Sequence, residues 1–257
     1  MNENLVLPNF IIIGAARSGT TTLYNWLQAH PDVYLPVSAR PEPHFFLKSL
    51  EYKKGISYYS DHYFSAWKGQ KAIGEKSTSY LYRATIVAPR LKEILPDVKL
   101  IALLRNPVDR AYSSYWFTVN EGLETLTFEE ALDRENERLE NPKLLFWDEV
   151  RPFAYIDRGH YLPQIKTFLE YFPRRSIFIG LFDELIENPS KLFREILRFL
   201  ELDENFTPIS FDDIRNEAAS GKPPINTSTR KRLLDIYKNE IQELNVLIDV
   251  DLSCWLS

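Results

Sequence analysis

An α/β fold is predicted, with a central parallel sheet flanked by helices on both faces. Three observations predict it. Apolar, β-branched runs at 10–13 (FIII), 98–104 (VKLIALL) and 176–180 (SIFIG) have the length and composition of buried strands. Stretches with helical spacing separate these runs, an alternation that gives parallel strands joined by crossover helices. The first run also passes through a small-residue loop, Gly14-Ala15-Ala16-Arg17-Ser18-Gly19-Thr20-Thr21, into Leu23, Trp26 and Leu27 at helical spacing. A strand, a small-residue loop and a helix in that order make the sheet P-loop-like.

Each further element has its own signal. The first helix, read from Thr22, ends before His30-Pro31-Asp32, because Pro31 disfavours helix in the residue ahead of it. Residues 36–46 (PVSARPEPHFF) form a proline-punctuated loop that carries Glu42 and His44 into an aromatic pair. Tyr58, Tyr59, Tyr63, Phe64 and Trp67 crowd a short helix in 55–67, and 72–78 (AIGEKST) is a short strand ending in a polar turn. A helix over 84–95 stops at Pro96. Pro107 suits the first turn of a helix over 108–120. A highly charged, solvated helix is expected over 127–140, irregular chain over 141–158 and a helix over 160–171. Pro189 opens an amphipathic helix with Leu192, Phe193, Ile196, Leu197 and Leu200 on one face. A long loop over 203–226 contains Gly221-Lys222-Pro223-Pro224, and a helix over 227–248 follows. Ligands of such sheets bind beyond the carboxyl ends of the strands, so the loops after 13, 75 and 104 are expected on one rim.

Composition excludes several classes of function. The 257 residues are expected to form a single domain, 1–257. A formal net charge of −5 argues against a general nucleic-acid or anionic-membrane binder. The one cysteine, Cys254, permits neither an intrachain disulfide nor a thiolate cluster, and His30, His62 and His160 lack metal-ligand spacing. No 18-residue apolar run and no cleavable leader are evident, so no membrane insertion and a cytoplasmic location are expected.

The loop at 14–21 points backbone N–H groups and a helix N-terminus at one spot, a geometry suited to phosphate or sulfate. It almost fits G-x-x-x-x-G-K-[ST], but Thr20 stands where that pattern has lysine, and Arg17 supplies a different cation. The second strong strand runs into Arg105 rather than a carboxylate for magnesium, so no metal is expected. A P-loop kinase or NTPase is therefore the weaker reading. A non-catalytic nucleotide-binding protein of the same fold is a further alternative.

Three segments together resemble the sulfotransferase superfamily that uses 3′-phosphoadenosine-5′-phosphosulfate (PAPS), nearest to the heparan sulfate N- and 3-O-sulfotransferases and their bacterial relatives. GAARSGTTTLYNWLQAHPDV resembles the 5′-phosphosulfate loop of that family, and LLRNPVDRAYSSY its 3′-phosphate motif. GEKSTSYL resembles the segment that carries the catalytic glutamate of the glycan enzymes. EPHFF at 42–46 and the SGKPP loop are weaker matches. The glycan enzymes usually have lysine where this chain has Arg17.

The resemblance implies PAPS as co-substrate, 3′,5′-adenosine bisphosphate (PAP) as product, and a small-molecule or saccharide acceptor. Ala16, Arg17, Ser18, Gly19, Thr20 and Thr21 would hold the phosphosulfate, with Arg17 steadying charge on the leaving oxygen. Arg105 and Ser113 would grip the 3′-phosphate, while Gly221 and Lys222 would fold over the nucleotide. Glu75 is the expected general base, with Lys76 orienting the acceptor or the sulfuryl group and His44 as a substitute base. Plainer readings stand beside these: a surface ion pair for Arg17, an Arg105–Asp109 pair, an exposed Lys222 and a solvated Glu75–Lys76 pair. His44 would then cap an aromatic cluster.

Overall fold

The computed structural model describes residues 5–36, 41–141, 151–208, 211 and 222–256. The chain divides into two compact units, one of residues 1–104 and 167–214, the other of residues 105–166 and 215–257.

The first unit contains the sheet. Its strands are β1 (Phe10–Gly14), β2 (Val33–Tyr34), β3 (Ala72–Lys76), β4 (Lys99–Leu104) and β5 (Ile177–Leu181). They run parallel in the order β2-β3-β1-β4-β5. Ile11 lies opposite Glu75, Ile12 opposite Ile101 and Leu103 opposite Gly180. The carboxyl ends of β3, β1 and β4 therefore stand side by side. Its helices in the first half of the chain are α1 (Thr20–Gln28), α2 (Ser49–Tyr52), α3 (Gly55–Phe64), α4 (Ser79–Tyr82) and α5 (Ala84–Ile94).

Four consecutive residues of β1, Phe10 to Ile13, are fully buried, as required of a central strand covered on both faces. Phe10 and Ile12 share one core with Leu23, Trp26 and Leu27 of α1 and with the apolar stripe at Leu192, Phe193, Ile196 and Leu197. Each such side chain contributes about 1.5–3 kcal/mol when buried. Gly74 is fixed by this packing, since a Cβ there would meet the Phe10 ring at 2.1 Å.

In the second unit the principal elements are α6 (Pro107–Asn120), α7 (Phe128–Asp133), α8 (Glu135–Glu140) and the long α12 (Thr227–Ile248). The helix α9 (Tyr161–Tyr171) begins in it; α10 (Phe182–Glu187) and α11 (Pro189–Phe199) belong to the first unit. Asn106 caps α6 by accepting from the Val108 N–H at 3.0 Å, and Pro107 occupies the first turn. On α12, Leu233, Tyr237, Ile241, Leu244 and Ile248 form a buried stripe at helical spacing.

Several expectations are revised. The helix read from Thr22 begins at Thr20, and β2, α2, α4 and α10 are elements too short to carry a periodic signal. The charged helix over 127–140 is two helices that turn at Arg134, and it is not wholly solvated. Glu135 is buried, and its carboxylate accepts from the N–H groups of Ile156 and Asp157 at 2.7 Å each. Arg138 forks onto the Glu124 carboxylate at 2.6 and 3.0 Å.

Candidate active site

The loop between β1 and α1 is shaped by two left-handed residues. Gly19, at φ 79°, caps α1, and a Cβ on it would press Leu185 and Phe182 at 3.1–3.3 Å. Arg17 has φ 72° without being glycine, a conformation that costs energy and is characteristic of functional turns. Ser18 is fully buried, and its hydroxyl has no hydrogen-bond partner among the described residues. An orphaned hydroxyl beside a helix N-terminus fits an anionic oxygen. Thr20 is buried in the first turn of α1, with Ala16 and Thr21 half-buried on either side of it.

At the end of β3, Lys76 reaches that loop. Its Nζ donates to Thr21 Oγ1 at 3.3 Å and to Glu42 Oε1 at 2.9 Å, with the lysine side chain only 2% exposed. Glu42 is further held by the Thr78 N–H at 2.8 Å, the Thr78 hydroxyl at 2.9 Å and His44 Nε2 at 3.3 Å. Burial pushes the Glu42 carboxyl up, but Lys76, His44 and the Thr78 N–H outweigh it and hold the carboxyl below its ordinary range. Glu42 is thus held ionised and joined through one ammonium to the loop between β1 and α1.

His44 sits as its aromatic-cap reading expects. It pairs with Glu42, and its ring packs against Tyr80 at 6.1 Å.

Glu75 is placed differently. Neighbouring strand residues point to opposite faces, so Glu75 and Lys76 are not a pair, and both are buried rather than solvated. Glu75 is fully buried, accepts from the Tyr59 hydroxyl at 2.6 Å, and has a second oxygen with no close hydrogen-bond partner among the described residues. Burial pushes its carboxyl up to about 7, against the lowering effect of the Tyr59, Tyr80 and Ser77 hydroxyls. The structure therefore brings Arg17, Ser18, Thr20, Thr21, Lys76 and His44 into one neighbourhood, with Glu75 beneath it.

In the second unit, Arg105 is the residue directly after β4, half-buried, and its carbonyl accepts from the Tyr161 hydroxyl at 3.0 Å. Ser113 is buried in the second turn of α6. Asp109 engages Arg230. Lys222 is half-buried with its ammonium over the Trp116 ring at 5.8 Å, so it is not a simple solvated lysine. Gly221 lies outside the described residues. Among the described residues, no three His, Cys, Asp or Glu side chains gather as a metal site would need. No helix there is long and apolar enough to cross a membrane.

Glu42 and Thr78 were missed by sequence reasoning as site residues. The signal for Glu42 lay in EPHFF, where a carboxylate two residues before His44 leads into a buried aromatic pair.

A parallel sheet whose first strand feeds an anion loop, with a lysine–carboxylate pair at the adjacent strand end, defines a group-transfer domain of the P-loop-like class. The family described as "Sulfotransferase domain" matches residues 7–243, and the chain belongs to that family. It is similar to heparan sulfate glucosamine 3-O-sulfotransferase 3B1 of Mus musculus, 32% identical over 244 residues that cover 91% of this chain and 58% of that protein. The bifunctional heparan sulfate N-deacetylase/N-sulfotransferase 2 of Homo sapiens is 28% identical over 270 residues, covering 94% of this chain and 29% of that protein. The chain thus spans little more than half, or less than a third, of these curated relatives. The crystal structure of a sulfotransferase from Alicyclobacillus acidocaldarius matches with a TM-score of 0.82 at 30% identity, covering 98% of this chain and 100% of that one.

Proposed function

We propose that this protein transfers a sulfuryl group from PAPS to a hydroxyl or amine of a small-molecule or saccharide acceptor, with Glu42 rather than Glu75 as general base. The carrying observation is the chain Glu42–Lys76–Thr21, which joins an ionised carboxylate to the anion loop through one buried ammonium. When bound, PAPS supplies an activated sulfur–oxygen bond to a phosphate leaving group. The orphaned Ser18 hydroxyl and the N-terminus of α1 fit its phosphosulfate end. Arg105 and Ser113 are the residues proposed for the 3′-phosphate, with Lys222 near the nucleotide, and Gly221 is carried over by resemblance alone.

Glu42 takes the proton of the acceptor as the new oxygen–sulfur or nitrogen–sulfur bond forms and the bond from sulfur to the phosphate oxygen breaks. Lys76 and Arg17 neutralise the charge that grows on the leaving oxygen. As Lys76 turns toward that charge, its hold on Glu42 weakens, and the carboxylate becomes a stronger base at the moment a proton must be accepted. The name of the mouse relative gives a glucosamine of heparan sulfate as its acceptor. With a net charge of −5, this chain suits a neutral saccharide or alcohol better than a long polyanion. One family match extends from 7 to 243, which supports reading both compact units as one functional domain.

The test is transfer from sulfur-labelled PAPS to a panel of saccharides and alcohols, together with calorimetric binding of PAP. Binding and transfer in the wild type, with binding but no transfer in Glu42→Gln, is the expected result. Magnesium-ATP hydrolysis without PAPS use would replace this reading with an NTPase, and PAP binding without transfer to any acceptor would leave a binding protein.

A further inference from the structure

Glu75 is a fully buried carboxylate that the proposed chemistry does not use. Its surroundings are unusually directed. Tyr59 donates to it at 2.6 Å, and the Tyr59 ring lies stacked on Phe45 with centroids 4.3 Å apart and edge-on to Phe46 at 5.4 Å. The Phe46 N–H donates to the Tyr80 hydroxyl at 3.0 Å, and the His44 N–H donates to Ser77 Oγ at 2.9 Å. His44, Phe45 and Phe46 are thus each tied to a side chain of the group that surrounds Glu75. That segment begins with Glu42, and it is bent by a left-handed backbone at His44, φ 50°.

We propose that Glu75 is a positioning residue: its carboxyl orders the Tyr59, Tyr80 and Ser77 hydroxyls that hold residues 44–46, and so sets where Glu42 and His44 stand. This rests on the reading of Glu42 as general base. Glu75 touches neither acceptor nor nucleotide; it acts through the segment that carries the base.

Two further observations support it. Stability gives no reason to keep an acid here, because burial penalises its ionised form. The groups facing Glu75 are Tyr59 and Tyr63 of α3, Ser77, Tyr80 of α4 and, farther off, the Glu42 carboxylate. None is a cation, and Lys76 stands on the other face of β3. Charge on Glu75 therefore acts on Glu42 by repulsion, raising the proton affinity that Lys76 depresses.

Variants at Glu75, Tyr59 and Glu42 test this through turnover, PAP affinity, pH profile and hydrogen exchange. In Glu75→Gln and Tyr59→Phe, kcat is expected to fall about tenfold, with PAP affinity within about twofold of wild type, a loss expected of slight misplacement rather than lost chemistry. The wild-type kcat should rise with pH through about 7 as Glu75 ionises, and that limb should be absent in Glu75→Gln. Without any nucleotide, hydrogen exchange at the amides of His44 and Phe46 should quicken about tenfold in Tyr59→Phe, since their protection depends on the ordered ring. Wild-type kcat, pH profile and exchange in both variants would overturn the proposal. So would a loss of transfer in Glu75→Gln as large as that in Glu42→Gln, which would make Glu75 the proton acceptor. Full activity in Glu42→Gln would instead remove the base assignment, and the exchange at His44 and Phe46 would still judge Glu75.

Discussion

Two carboxylates of the first unit, the half-buried Glu42 and the fully buried Glu75, show opposite electrostatic solutions. Glu42 lies in a loop and is surrounded by donors that favour its charged form: a lysine, a histidine, a hydroxyl and a backbone N–H. Glu75 lies on the central sheet and is surrounded by phenols and apolar rings, with the Tyr59 hydroxyl donating to it. Burial pushes both upward, and only at Glu42 do nearby charges reverse the direction. Depth alone does not set a carboxylate's charge. The partners do, and Lys76 also links Glu42 to Thr21 of the loop between β1 and α1, the contact on which the proposed base rests.

The comparison is broken most directly by exchanging each acid for its amide. Glu42→Gln should lower transfer by about 10²- to 10⁴-fold, the range for a lost general base, against about tenfold for Glu75→Gln. Labelled-donor assays at saturating acceptor measure both, and equal losses would erase the distinction. Removing the connection is the next largest change. Lys76→Met leaves Glu42 without its buried counter-ion and should cost about 3–5 kcal/mol in urea unfolding at neutral pH. A cost below about 1 kcal/mol would show the pair to be screened as surface pairs are.

The pH dependence of stability sharpens the contrast, because the two signs differ. Glu75 is held above its unfolded value, so the folded state keeps a proton that the unfolded state has lost. Stability should fall as pH rises from about 4.5 to about 7, by about 3 kcal/mol, and then level off. Glu42 is held below its unfolded value, so its contribution is present above that value and is lost as pH falls through the depressed native one. Glu75→Gln should therefore be more stable than wild type at pH 8 and close to it at pH 4.5, by thermal unfolding across pH. A parallel offset at all pH values would contradict the assignment. The smallest effect is expected from Thr78→Val, which removes one hydroxyl from Glu42 and should cost about 1 kcal/mol of transition-state stabilisation, read as kcat/KM.

Much of this was legible in residue order. The apolar runs at 10–13 and 98–104, the small residues between Gly14 and Thr21, and the helical spacing from Leu192 to Leu200 announced strands, turn and helix. Two-residue β2 and four-residue α2 and α4 are shorter than the periods that reveal such elements, and tertiary contacts define them. The charges of 127–140 read as solvated because nothing local shows that Glu135 closes onto the backbone of Ile156 and Asp157, about twenty residues on. The choice between Glu75 and Glu42 needed the fold for the same reason. Glu75 stands directly before Lys76 and Glu42 two residues before His44, and the alternation of β3 and the reach of Lys76 separate them.

The left-handed backbone of Arg17 has a consequence for protein engineering. A glycine at that position would relieve roughly 1–2 kcal/mol of steric cost, offset in part by the added freedom of the unfolded chain. The same exchange would delete the loop's cation. Selection for thermal tolerance alone would thus drift toward a sturdier protein without this cation, and screens for hardier variants should be scored for turnover as well.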